Sequence, residues 1–134
     1  MGMEIIFRPI GYVHHEHESV PRHWSVSDLE GRLEIDPIYL DALADTEAGD
    51  RIVVLFHFDK SPEFGASFLK QTPPGRDAPK GVFGICSPVR PNALGLSVVE
   101  VLTKVECVLT VRGIDMLDGT PILDIKPHVT GAVG

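Results

Sequence analysis

Three sets of polar residues in this chain stand where chemistry could be done: Arg90 with Asn92, Asp115 with Asp118, and Asp124 with Lys126. A guanidinium grips a carboxylate or phosphate in a fork, a carboxamide reads a purine edge, and a carboxylate fixes ribose hydroxyls or takes a proton. Two of the sets have a plainer reading. Asp118 belongs to the turn-forming stretch Leu117-Asp-Gly-Thr-Pro121, and Asp124 with Lys126 forms a surface pair of little energetic weight. All three sets fall at the ends of expected strands, where they could converge, and pattern alone leans slightly to the plainer reading.

Other reactive side chains carry weaker signals. Cys86 invites the role of nucleophile, but no histidine lies near it in sequence to activate it. With Cys107 it makes two cysteines in all, too few and too far apart for a disulfide framework or a zinc site, and Cys107 reads as a small core residue. His14-His-Glu-His-Glu18 sets three imidazoles and two carboxylates together; the solvated-loop reading is preferred over metal ligation, because ligands so crowded in sequence seldom share one coordination sphere. Trp24 is either a core residue or a stacking surface for a purine. His57 reads as a core or barrel-lining residue rather than a catalytic base.

The elements that must hold these groups are mostly strands. Pro88 and Pro91 fix their own φ and push the residue before each toward extended geometry, so Arg90 sits in a stiff loop between two apolar runs. Gly95 then permits a tight turn or a close backbone approach. Strands are expected at Ile5–Val13 (an edge or bulged strand, because of Pro9), Arg32–Ile35, Asp50–Phe58, Leu96–Val105, Cys107–Gly113 and Ile122–Lys126. Asp36-Pro37 predicts a short helix, with Tyr39, Leu40 and Leu43 on its apolar face and Gly49 closing it. The segment 59–80, rich in proline and without periodicity, reads as a lid or partner-binding arm. The tail from Thr130 to Gly134 is weakly specified. The expected fold is one mostly β domain over residues 4–134, an antiparallel β-barrel-like or coiled sheet with one short helix.

Composition sets outer limits. With 134 residues, 43% apolar and 23% charged, the chain is an ordinary soluble globular domain large enough for its own core. No apolar run approaches bilayer length and the N-terminus lacks the pattern of a signal peptide, so the expected location is the cytoplasm, without a membrane partner. Neither a P-loop nor a Rossmann glycine motif is present, nor a G-x-S-x-G elbow or an H-E-x-x-H helix. A net charge of −7 disfavours a nucleic-acid partner unless basic residues cluster locally or a dimer assembles a patch.

Two longer stretches resemble a known family. Cys86-Ser-Pro-Val-Arg-Pro-Asn-Ala-Leu-Gly-Leu-Ser97 is similar to the R-S-P-x-R-P-N-P-I-G-x-S signature of the TsaA-like (TrmO, YaeB) proteins, and Asp118-Gly-Thr-Pro-Ile-Leu-Asp-Ile-Lys-Pro-His128 to their D-G-T-P-x-x-D-I-K-P-Y signature. Pro9-Ile-Gly-Tyr-Val13 matches their first strand. The resemblance implies a homodimeric, S-adenosylmethionine-dependent methyltransferase on a compact β-barrel-like fold. It also implies N6-methylation of threonylcarbamoyl-adenosine 37 in threonine tRNA; a small-molecule acceptor, or a non-catalytic binding module, is the alternative. Carried over by motif, the cofactor would meet His23, Trp24, Ser25, Asp59, Lys60, Cys86, Leu96, Arg112, Gly113, Ile114 and Asp115. The substrate would meet Arg90, Asn92, Asp118, Asp124, Lys126 and His128. No general base and no metal follow from it. Four positions depart from the pattern: Cys86 stands for the family's Arg, Ala93-Leu94 for Pro-Ile, and His128 for Tyr.

Overall fold

The computed structural model describes residues 2–130; Gly131–Gly134 of the expected tail lie outside the described residues. Six strands close into an antiparallel barrel: β1 (Gly11–His14), β2 (Glu30–Ile35), β3 (Arg51–His57), β6 (Leu94–Val105), β7 (Val108–Arg112) and β8 (Pro121–Pro127), in the order β1-β2-β7-β6-β3-β8 with β8 returning to β1. A two-stranded ribbon, β4 (Lys70–Gln71) with β5 (Lys80–Gly81), stands apart from it within the long loop.

Alternation explains which residues fill the barrel. Along β3, Ile52, Val54 and Phe56 are buried while Arg51 and His57 are exposed; along β2 the inward residues are Leu33 and Ile35, and along β7 Leu109 and Val111. Cys107 joins the same core, as the alternation predicted. Register is set by direct pairs such as Leu55 with Leu96 and Phe56 with Gly95, and a bulge at Leu123 shifts β8 by one residue between Ile122 and Asp124.

The mostly β single barrel matches the sequence reading, with four local differences. No strand forms before Gly11: residues 2–9 are exposed and carry no regular structure. The short helix after Asp36 forms as expected, a 3-10 helix over Pro37–Leu43 kinked at Tyr39 with Asp36 Oδ1 accepting from Ile38 N at 3.1 Å, but of its apolar face Leu43 alone is buried and Leu40 is exposed. His57 points out of the barrel, because the inward phase of β3 is taken by Ile52, Val54 and Phe56. His15 is buried instead of solvated, its Nε2 donating to Met116 O at 2.8 Å and its Nδ1 accepting from His17 N at 3.1 Å.

Candidate functional site: a cavity on the barrel lip

At the end of the barrel where β3 finishes and β6 begins lies a cavity of about 810 Å³. That volume is in the range of sites for nucleotide-sized ligands, roughly 300–1,000 Å³. Four separate segments wall it: Val20–Trp24, Phe56–Pro62, Ile85–Leu96 and Asp115–Thr120.

Its floor is made where β3 and β6 pair. Gly95 faces Phe56, and a Cβ there would sit 2.3 Å from the phenyl ring, so only glycine lets the two strands approach with that ring between them. Phe56 and Phe58 pack edge to face, with centroids 5.0 Å apart. His23 and Trp24 stack with centroids at 5.0 Å, Trp24 half-buried in a single 3-10 turn whose cap is His23 itself: its Nδ1 accepts from Ser25 N at 3.2 Å. Trp24 is therefore a wall of the cavity and no member of the barrel core.

The polar groups converge on Asp115. Its Oδ1 accepts the Ser97 hydroxyl proton at 2.5 Å, and Ser97 is fully buried in the inward phase of β6. Burial pushes the Asp115 carboxyl up from the ordinary aspartate value; the Ser97 hydrogen bond, the nearby His23 and the Trp24 backbone amide pull the other way without cancelling it. The result is a carboxylate held at the mouth of an apolar barrel, costly to ionise even with the Ser97 hydroxyl and the Trp24 amide directed at it.

Around it the loops are pinned by backbone carbonyls. One Arg90 nitrogen, Nη1, donates to Ile85 O and Ser87 O, both at 3.0 Å, so the guanidinium staples its own loop while lining the cavity. Lys60 Nζ donates to Asp118 O at 3.1 Å, and Asp118 Oδ1 accepts from His15 N at 2.9 Å. That amide, followed by the charges of His14, His15 and Lys60, holds the exposed Asp118 carboxyl below its ordinary range. His15 thus ties Met116, a wall residue, to the first strand.

The residues named by resemblance divide by place. His23, Trp24, Asp59, Lys60, Cys86, Leu96, Asp115 and Arg90 line this cavity. Ser25 stands behind it, its hydroxyl 2.6 Å from His23 Nδ1. Gly113 and Ile114 are buried beneath it, and Arg112 lies outside it, 3.3 Å from Glu100. Asn92 is exposed in the loop without lining the cavity. Asp118 borders it through Lys60. Asp124, Lys126 and His128 do not join them: they line a groove of about 670 Å³ at the other end of the barrel, where Lys126 Nζ is 3.0 Å from Asp124 Oδ2 at the surface. The three polar sets therefore do not meet in one protomer. Sequence reasoning missed Phe58 and Met116. Phe58 was within reach, since Phe56 and Phe58 are two apart at a strand end; Met116 carried no local signal. Among the described residues no group of three or more His, Cys, Asp or Glu side chains is placed to hold a metal ion.

Comparison with known proteins points the same way as the cavity. A probable S-adenosyl-L-methionine-binding protein of Pyrococcus abyssi is 38% identical over 133 residues, spanning 96% of this chain and 71% of that one. The tRNA (adenine(37)-N6)-methyltransferase of Mus musculus is 40% identical over 89 residues, which is 66% of this chain and 20% of the mouse protein. The crystal structure of TrmO from Pseudomonas aeruginosa superposes with a TM-score of 0.73 at 33% identity, covering 95% of this chain and 57% of that one. This chain thus corresponds to little more than half of the solved enzyme and a fifth of the mouse protein. The tRNA-methyltransferase O N-terminal domain pattern matches residues 10–132, which contain the whole barrel, and the chain belongs to that family.

Proposed function

We propose that the lip cavity binds S-adenosylmethionine and that the chain is a methyltransferase acting on N6 of threonylcarbamoyl-adenosine 37 in tRNA. The observation that carries the cofactor assignment is the make-up of the cavity lining. It combines an aromatic pair (His23, Trp24), a half-buried carboxylate (Asp115 on Ser97) and side chains of both charges (Asp59, Lys60). Those are the groups a nucleoside with a zwitterionic amino-acid tail requires: a face for the base, an acceptor for hydroxyls, and a complement for each tail charge.

When bound, that cofactor supplies a methyl group on a sulfonium, already activated for transfer to a nucleophile. The residues of this chain then have only to bind, orient and exclude water. Ionised Asp115 accepts from hydroxyls, and any donor delivered there answers its desolvation. Trp24 and Phe58 cover apolar area. Arg90 keeps the Ile85–Pro91 loop in one shape through its two carbonyl contacts.

The tRNA half of the proposal draws support from local charge. Arg22, Lys60 and Arg90 line the cavity against Asp59 and Asp115, a positive excess in a chain of net charge −7. The same net charge favours a second reading, a small-molecule acceptor. Methyl incorporation into threonine tRNA carrying the threonylcarbamoyl group tests the first reading. Absence of incorporation by protein that binds the cofactor would sink it, and tRNA binding insensitive to added salt would count equally against it.

A further inference from the structure

Two features at the groove end have no counterpart among the described residues. Residues 2–9 are all exposed, and Met3, Ile5, Ile6 and Phe7 among them are 61 to 87% exposed. Scattered surface hydrophobics are ordinary, but four large ones within five residues form a patch that needs covering. Beside the root of this arm lies the groove of about 670 Å³, with Ile35, Leu43 and Ile52 at its floor, Tyr39 at its side and Asp45, Asp50, Arg51 and Lys126 on its rim. Ile10, the residue that roots the arm, is itself part of the groove wall.

The arm is badly placed to fill its own groove. Pro9 fixes φ at the root and biases Arg8 toward extended backbone, which opposes the reversal such a fold-back requires. We propose that the arm of one copy, Met3–Pro9, lies in the groove of a second copy, and that the exchange is reciprocal.

Three properties of the molecule fit this occupant. The arm carries one acid, Glu4, and one base, Arg8, and the rim offers cations and carboxylates to both. Each arm is rooted at its own groove, so two grooves brought side by side place both roots near one axis, and a single two-fold operation satisfies both arms and closes the assembly. Seven extended residues reach roughly 23 Å, enough to cross a neighbouring groove without displacing the barrel. The inference also gives Asp124, Lys126 and His128 a place in receiving the partner's arm rather than a substrate, and it stands apart from the methyl-transfer reading.

Sedimentation velocity from low to high micromolar concentration is the first test. The full chain is expected to run as a dimer, and a variant lacking residues 2–8 as a monomer whose S-adenosylmethionine affinity is unchanged. A monomeric full chain, or a dimer that survives the deletion, overturns the proposal. The second test is trapping in a Cys86→Ser background with Phe7→Cys and Ala42→Cys, Ala42 being an exposed groove residue. A disulfide between chains that requires both new cysteines is expected. A disulfide closed within one chain would mean that the arm folds onto its own groove, and no disulfide in a dimeric protein would place the interface elsewhere.

Discussion

The two ends of the barrel are made from the same strands, yet they treat charge in opposite ways. At the lip, where β3 ends and β6 begins, Asp115 is sunk beside the fully buried Ser97 and its carboxyl is driven upward by desolvation. At the groove, where β3 begins and β8 ends, Asp124 and Lys126 pair at 3.0 Å in contact with water. An exposed pair of this kind is worth about 0–1 kcal/mol, because solvent screens it and both side chains lose freedom. A desolvated carboxylate costs far more, and the cost is recovered when a ligand brings donors to it. Acids stand at both ends; burial, not residue type, separates Asp115, which can grip a ligand, from Asp124, which decorates a surface.

Glycines sharpen this contrast, and they carry the largest effect expected. Gly95 at the lip is there for space, since a Cβ would come 2.3 Å from the Phe56 ring in the packed floor. Gly49 at the groove end has open space around it and is there for its φ of +96°. Gly95→Ala should cost about 3 kcal/mol by overpacking and deform the cavity floor, whereas Gly49→Ala should cost only about 1 kcal/mol and leave cofactor affinity alone. Denaturant melts and isothermal titration on both variants decide it; equal losses of affinity would mean that the two ends are mechanically coupled.

Next in size is the pH behaviour of Asp115. Its folded-state pKa lies above the unfolded value, so its contribution to stability is complete below the unfolded pKa and is lost as pH rises through the folded one. Binding that relies on the ionised form runs the other way and strengthens with pH over the same window. Asp115→Asn should remove both slopes and weaken S-adenosylmethionine by about tenfold to a hundredfold, the usual worth of hydrogen bonds to a charged group. Ser97→Ala should move the binding limb to higher pH, because it removes the strongest contact that favours the charged form. An affinity profile that Ser97→Ala leaves in place would show that the carboxylate is not the group being titrated.

What was legible in the sequence followed from local rules. Alternation in Arg51–His57 and Val108–Arg112 is enforced by the pleat, and Asp36-Pro37 caps a helix by its own chemistry, so these elements could be read without knowing their neighbours. The arm before Gly11 deceived because its β-branched and aromatic residues suit a strand, yet no barrel edge is left to pair with it once β8 closes on β1. His15 was read as solvated because nothing local announces Met116, about a hundred positions away, as its partner. Residue type singled out Trp24, Arg90 and Asp115 and the resemblance added Lys60, and all four line the cavity. That Asp124 and Lys126 face a different opening depended on the bulge at Leu123 and on the closure of the barrel, which no spacing rule reveals.

The smallest effect belongs to Asp124. If the groove end does no chemistry, Asp124→Asn exchanges a screened ion pair for a neutral contact and leaves Asn able to accept from Ile125 N, as Asp124 Oδ1 does at 2.9 Å. Stability should change by less than about 1 kcal/mol, and cofactor affinity should stay within about twofold, because neither the pair nor its strand borders the cavity. A tenfold loss in methyl transfer at unchanged cofactor affinity would contradict this. Within one barrel Asp124 opens on the groove and not on the lip, so such a loss would have to act through a second copy whose groove end meets the first copy's cavity. The comparison between the two ends would then become one between two subunits.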